Sequence, residues 1–331
     1  LQADTDTPRV TPDAIEAIAE LMKALCEKDL EFLCKHFLGY NQWNQVHTDA
    51  QEMLMRPSRR KAILLPRNHS KSTFVTIAWT IQQILKNPNV RILIANGVWD
   101  IARKFLMEVK EQLEGSQLKY LYGGFVSGRW NADDIIVKQR TRARKEPTVS
   151  TTGVEAESTG MRADIIIADD LMGEQNYKTP EQREKVKRFR RSLRNLLEPD
   201  GTMVDIMTRW HLDDTFAEIE EKEIQYYDTM VRSVVEDGKL IYPLKFSKKF
   251  NAATKSFEDD PTGNSMDYVE MLKRTMPIDE FMSQYMNNPI SSENQLFKPE
   301  SFKYWEKRDH GLHVGVGVDL AISQNTEADT T

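Results

Sequence analysis

Ile63-Leu64-Leu65-Pro66-Arg67-Asn68-His69-Ser70-Lys71-Ser72-Thr73 decides how the rest of this chain is read. An apolar run ends on a proline, a polar loop follows, and Lys71-Ser72-Thr73 opens a stretch with helical spacing. A strand, a loop and a helix in that order aim backbone amides at phosphate oxygens, with a lysine for the terminal phosphates and the next hydroxyl for magnesium. Lys71 and Ser72 fit those two roles, and Thr73 adds a hydroxyl at the helix start. The usual pattern has glycine where this chain carries Leu65 and Ser70, so the stretch alone also reads as a basic loop after a strand.

Two further strand ends give the loop a context. Asp164-Ile165-Ile166-Ile167-Ala168-Asp169-Asp170 is an apolar run closed by two carboxylates. On such a strand Asp169 would hold the magnesium shell and Asp170 would orient and deprotonate an attacking water; adjacent aspartates also occur in ordinary turns. Asp205-Ile206-Met207-Thr208-Arg209-Trp210-His211 ends a third run with a hydroxyl and a guanidinium. From a neighbouring parallel strand, Thr208 and Arg209 would sense the terminal phosphate, unless they are plain strand-end polar residues.

Outward from these motifs, Ala62 to Leu65, Arg91 to Ala95, Ile135 to Val137, Thr148 to Thr152, Ile165 to Ala168 and Met203 to Met207 are short apolar runs. Helical stretches at 71–86, 98–113 and 180–197 alternate with them. This alternation predicts an α/β fold, a parallel sheet flanked by helices. Runs between Lys71 and Asp169 suggest an extra strand between the two phosphate-site strands. Asp237-Gly238 marks a hairpin, expected to add antiparallel strands at one edge of the sheet. Upstream, Thr11-Pro12 starts one or two helices over 12–39, and a short helix carrying Gln51 follows a polar, aromatic loop. Residues 245–310 are polar with turn signals and no strong core period, and His313 to Ile322 then reads as a new buried strand ending in a carboxylate.

Length and composition set the outer bounds. The 331 residues exceed the usual size of one core, which predicts a large domain with accessory pieces, or two domains. No run of about 18 apolar residues is present to span a membrane, and no signal-peptide block opens the chain, so an intracellular protein is expected. Cys26 and Cys34 lack metal-ligand spacing and read as buried reduced thiols. A net charge of -6 excludes a chain that coats nucleic acid over its whole surface; contact would be confined to one face. Two basic clusters stand out: Lys138, Arg140, Arg142, Arg144 and Lys145, and then Arg183, Lys185, Lys187, Arg188, Arg190, Arg191 and Arg194. Each is a solvated face or a contact to a phosphate backbone.

Together, Pro66-Arg67-x-x-x-Lys71-Ser72-Thr73, a strand ending Asp169-Asp170, and Thr208-Arg209-Trp210-His211 followed by Asp213 and Asp214 resemble, in that order, the arginine-bearing Walker A, the Walker B and the coupling motif of bacteriophage terminase large subunits. Leu244-Lys245-Phe246 after Tyr242-Pro243, and Phe281-Met282-Ser283-Gln284-Tyr285-Met286-Asn287-Asn288-Pro289, extend the resemblance over roughly residues 40–331.

The resemblance implies a P-loop NTPase of the ASCE type that hydrolyses ATP with Mg2+ to drive viral double-stranded DNA into a procapsid. It implies a C-terminal, RNase H-like endonuclease domain using Mg2+ or Mn2+. Pro66, Arg67, Asn68, His69, Ser70, Lys71, Ser72 and Thr73 would form the nucleotide loop, with Arg67 touching the phosphates in place of a flexible glycine turn. Ser72 and Asp169 would hold magnesium, and Lys71, Arg67, Asp170, Thr208 and Arg209 would carry catalysis and coupling. Gln51 would sit near the adenine or remain a solvated glutamine. The family most often has Asp-Glu at the Walker B end, and Asp170 is shorter by one methylene. Arg142, Arg144 or Arg162 would serve as an arginine finger towards a neighbouring subunit, or Arg162 in cis. Asp319 matches the first metal-binding acid of the nuclease, with Asp329 as a further acid.

Implied partners are the portal protein, the small terminase subunit and copies of the same chain in a ring on the procapsid. The isolated chain would be monomeric, and the setting would be the host cytoplasm. The expected division is an N-terminal helical region of the ATPase domain at 1–60, the P-loop core at 61–245, a lid or linker at 246–310 and the first strand of a truncated nuclease domain at 311–331. The chain opens without methionine and stops just after that strand, so it reads as a fragment. A helicase-like P-loop remodeller, and a nuclease with a regulatory nucleotide-binding module, are the other classes that the residues admit.

Overall fold

A computed structural model describes residues 11–156 and 161–290, all within the compact unit Leu1–Ser291. The Thr11 hydroxyl accepts from the Ala14 N–H at the start of α1 (Pro12–Lys28), and Pro12 takes the first turn, where no N–H is needed. Asp29 ends α1 and caps α2 (Leu30–His36), so the helical pattern over 12–39 resolves into two helices. Asn44 opens α3 (Gln45–Met55) through a capping box whose second member is His47.

The core then runs β1 (Arg60–Leu64), a π-helical segment Ser72–Ala78 continuing into α4 (Trp79–Lys86), β2 (Ile92–Asn96), α5 (Trp99–Glu114), α6 (Ser116–Tyr122), β3 (Asp134–Ile135), β4 (Val149–Gly153), β5 (Ala163–Asp169), α7 (Pro180–Arg194), β6 (Leu197–Met207) and α8 (Thr215–Lys222). After it come β7 (Asp228–Val231), β8 (Val235–Glu236), β9 (Lys239–Leu240), α9 (Pro243–Phe246), β10 (Lys248–Asn251), β11 (Ser256–Asp259), α10 (Asp267–Thr275) and α11 (Ile278–Gln284). Each of the six apolar runs contributes a strand.

The main sheet has the order β3-β4-β2-β5-β6-β1-β7, with every pair parallel except β3 on β4. Its alternating side chains feed two faces, as period-two strands must. Ile63, Ile92, Ile94, Ile165, Ile167, Val204 and Ile206 point to one side, packing with apolar residues of α1–α5. Leu93, Ala95, Ile166, Ala168 and Met203 point to the other, onto Val186, Phe189 and Leu193 of α7, while Ala62, Leu64 and Met207 meet Phe216 and Ile219 of α8. Burial on both faces is why these strands are near-continuous apolar runs.

Two expectations need correction. A strand does separate β1 from β5, but it is β6, which follows Asp170 in the chain; β2 and β4 lie beyond β5. The crossover through α7 places β6 beside β5, as a β-α-β unit does. The hairpin forms at Asp237 (φ 49) and Gly238 (φ 73), yet β8 and β9 make a separate two-stranded sheet and do not close the main one. The Val234 N–H beside it donates to the Tyr285 carbonyl at 2.8 Å, so that backbone is already engaged. The parallel strand β7 forms one edge, and the antiparallel strand is β3 at the other.

Candidate functional site

β1, β6 and β5 are neighbours, and their C-terminal ends bring the three motifs together. The Lys71 amine donates to the Thr208 hydroxyl at 2.8 Å and pairs with Asp170 Oδ2 at 2.9 Å. The Thr208 N–H donates to Asp170 Oδ1 at 3.0 Å, closing a triangle among residues far apart in sequence. Lys71 and Thr208 are both buried. Asp170 lies at φ 44, held by its own N–H on the Ile206 carbonyl at 2.8 Å. That left-handed backbone costs about 1 kcal/mol for a non-glycine residue and turns the carboxylate off the line of β5. Gly97 makes the fit possible: a Cβ there would stand 2.5 Å from the Leu171 carbonyl.

Asp169 is fully buried beside this triangle. One carboxylate oxygen accepts from the Thr76 hydroxyl, while Oδ1 has no hydrogen-bond partner among the described residues. Burial, then the neighbouring Asp170 charge, push its carboxyl up to about 6, against the opposing pull of Lys71, Thr76 and Ser72. Thr76 is a residue that the sequence reading missed. Its spacing of four from Ser72 was the available signal, since such residues share a helix face.

The loop holds left-handed backbone at Asn68 (φ 65) and Ser70 (φ 55), the latter where the usual pattern has glycine. Packing holds it there. His69 is buried and stacks on Phe246 of α9 at 4.5 Å, and its carbonyl meets His47 Nε2 at 3.0 Å. Burial lowers the His69 ring to about 3 and the His47 ring to about 4, keeping both neutral. Arg67 is exposed; its N–H donates to the Gln284 carbonyl at 2.9 Å and its guanidinium to Gln284 Oε1 at 2.7 Å.

The segment after α10 is therefore wired into the site, although its sequence shows no core period. Phe281, Ser283, Gln284, Tyr285 and Asn287 are buried. Ser283 donates to the Arg209 carbonyl at 3.0 Å, and Asn287 Oδ1 accepts the Arg209 N–H at 3.0 Å. The Arg209 side chain itself is taken by Asp214 at 2.7 Å, the residue that also caps α8.

Other expected residues make contacts of their own. Gln51 Oε1 accepts the Glu31 N–H at 3.0 Å, which ties it to the first turn of α2. Arg144 pairs at 3.5 Å with Asp164, near the start of β5, and Arg162 donates to the Asn195 carbonyl at 2.9 Å. Both lie at the opposite end of β5 from Asp169, roughly 20 Å away at about 3.3 Å per residue, so Arg162 does not serve the site in cis. Arg142 touches Asn89 through its N–H at 2.8 Å. Asp319 and Asp329, and the strand expected at 313–322, lie outside the described residues.

A mostly parallel sheet in which the loop strand and the acid-tipped strand flank a third gives the chain the α/β strand order of the ASCE fold class. The chain is 24% identical over 265 residues to the terminase large subunit of Enterobacteria phage T3, covering 75% of this chain and 44% of that protein. It thus spans less than half the length of that curated relative. Among solved structures, the Thermus phage P74-26 large terminase ATPase domain shares 15% identity at a TM-score of 0.42, covering 78% of this chain and 97% of that one. The large terminase of the thermophilic bacteriophage D6E shares 11% at a TM-score of 0.40, covering 69% and 48%. No family model matches the chain.

Proposed function

We propose that this chain is the ATP-hydrolysing motor portion of a bacteriophage terminase large subunit. The observation that carries the reading is the triangle of Lys71, Asp170 and Thr208 at the ends of adjacent parallel strands. Among the described residues no cluster of three or more His, Cys, Asp or Glu forms a protein-only metal cage. Magnesium beside a nucleotide needs only one or two carboxylates, and the orphaned Oδ1 of Asp169 next to Ser72 and Thr76 suits it. There the ion would neutralise phosphate charge.

The chain's own groups supply the rest. Lys71 rests on Asp170 and Thr208, so a phosphate that draws the amine away leaves Asp170 free to orient a water and accept its proton. The Thr208 N–H keeps that carboxylate aimed, and Arg67, held by Gln284, borders the loop. Arg209, fixed by Asp214, Ser283 and Asn287, links the end of β6 to the C-terminal segment and fits a coupling role.

Double-stranded viral DNA is the substrate to be moved; the portal protein, the small terminase subunit and further copies of the chain in a ring are its partners in the host cytoplasm. Arg142, Arg144 or Arg162 would act across a subunit boundary. Asp319 and Asp329 would belong to a nuclease domain, and in a longer chain Asp319→Ala should abolish DNA cutting and spare ATP hydrolysis. The primary test is Mg2+-dependent ATP hydrolysis with and without duplex DNA. Lys71→Ala should lower turnover by roughly 10²-fold or more with its circular dichroism unchanged. Full turnover in that variant would remove the assignment.

A further inference from the structure

At the other end of the sheet, a basic groove wraps the first residues of β1 and β6. One cavity of about 300 Å³ is lined by Arg56, Arg59, Lys61 and Lys86, with Trp79 in its wall and no acidic residue. A second, of about 600 Å³, holds Arg59, Arg60, Arg194 and Lys222, and its one acid, Glu223, is already paired with Arg194 at 2.8 Å. Arg59 lines both. They lie roughly 20 Å along β1 from the loop, at about 3.3 Å per residue.

On the β1 side the charges have no ion pair among the described residues, while Lys222 on the far wall pairs with Glu221 at 3.8 Å. Lys61 is 1% exposed, and among the described residues its amine meets the carbonyls of Arg56 and Ser58. Burial lowers its affinity for a proton, and Arg56 and Arg59 add to that effect against Asp228. The Arg60 Nη1 is buried without a hydrogen-bond partner, and Arg56 and Arg59 are exposed without an ion pair among the described residues. The longer basic cluster on α7 is the reverse. Arg183 and Lys187 pair with Asp213, Arg190 with Asp205, and Arg191 with Glu184 and Glu218. In a chain of net charge -6, a concave, unpaired cationic surface raises the local potential for anions.

We propose that this groove is a second phosphate-binding site, built from Arg56, Arg59 and Arg60 at the N-terminal edge of the sheet, with Lys61 buried behind them. Its occupant is a run of phosphate groups, from a nucleic-acid backbone or from a free polyphosphate. Planar guanidinium groups suit phosphate bidentately, and a groove without base-reading geometry binds without regard to sequence. This site stands whether or not the loop at Lys71 hydrolyses ATP.

The test is fluorescence anisotropy with a mixed-sequence DNA duplex, run over a salt series, and calorimetric titration with inorganic tripolyphosphate. The chains compared are wild type, Arg59→Gln, the triple variant Arg56→Ala/Arg59→Ala/Arg60→Ala, and Arg188→Ala, which removes an exposed α7 arginine as a control for bulk charge. If the backbone is the source, duplex affinity in the triple variant should fall at least tenfold near 0.1 M salt. The slope of log affinity against log salt should shrink by about one for each arginine removed. Loss of tripolyphosphate binding with duplex binding intact assigns the site to a free polyphosphate. Unchanged binding of both probes overturns the proposal. So does an equal loss in Arg188→Ala, which would mean that surface charge alone attracts the probes. Arg59→Gln removes no internal contact and keeps the comparison valid if the triple variant folds poorly.

Discussion

Lys71 and Asp169 differ in how their charge is satisfied, and that difference gives two measurable consequences. Lys71 has two partners, so its charge is balanced before any ligand arrives. Asp169 keeps one oxygen without a donor, and its carboxyl is raised to about 6. Between about pH 4 and pH 6 the folded chain therefore holds a proton that the unfolded chain has released. The associated stability is complete below the ordinary carboxylate range and is lost as pH rises through about 6. Asp169→Asn should stabilise the ligand-free chain at pH 7.5 by on the order of 1–3 kcal/mol, with the gain shrinking towards pH 4. Urea unfolding at the two pH values measures it, and an equal gain at both would mean that Asp169 does not titrate.

At this scale the meeting of Lys71, Asp169, Asp170 and Thr208 was legible, because polar groups at the ends of apolar strands leave a local pattern. The departure at Ser70 was legible as well, but its resolution was not. A serine adopts the left-handed backbone here because His69 is fixed by His47 and Phe246, partners distant in sequence. The contact of Gln51 was hidden for a related reason: no local signal says that its carbonyl meets the first turn of α2.

Among elements, the connection from α11 to the loop is the one that hydrophobic periodicity concealed. Its links are hydrogen bonds of Ser283, Gln284 and Asn287, and polar residues at irregular spacing read as a linker. Gln284→Ala should free Arg67 and raise the KM for ATP about tenfold with a smaller effect on kcat. Gln284→Glu, which keeps an acceptor, should recover much of the affinity. An unchanged KM in the alanine variant would leave Gln284 a packing residue only.

A second junction joins α7, β6 and the segment after α8. Arg190 is wholly buried, its guanidinium on Asp205 at 2.9 Å and on the Tyr227 hydroxyl at 2.7 Å, with Glu223 at 3.4 Å. Removing one member of such a cluster strands the other charge, so Asp205→Ala should cost about 3–5 kcal/mol in thermal or urea unfolding. A loss below about 1 kcal/mol would show that water reaches Arg190. The sequence presented α7 as a basic face; tertiary partners turned much of it inward.

For the whole molecule, sheet order was partly legible. Six apolar runs and the helices between them are enough for a parallel α/β sheet, while the place of β6 depends on crossover geometry and the fate of the β8–β9 hairpin on the Tyr285 carbonyl. The arginine candidates cluster at the end of β5 remote from Asp169, so under the proposed function they would act only on a neighbouring copy. Isolated chain should accordingly hydrolyse ATP slowly, and assembly on a portal with DNA should raise the rate by roughly 10³-fold, as a trans arginine does in related phosphoryl transfer. A fast monomer, verified by light scattering during turnover, would argue for a cis group outside the described residues.

On the proposed function, Asp170 activates water for a nucleotide held by Lys71. Single-turnover ATP hydrolysis in Asp170→Asn, with binding of a fluorescent ATP analogue followed in the same preparation, separates that step from binding. Binding should stay within a few-fold of wild type while the hydrolysis rate falls by about 10²-fold or more. Hydrolysis at the wild-type rate with binding intact would contradict it.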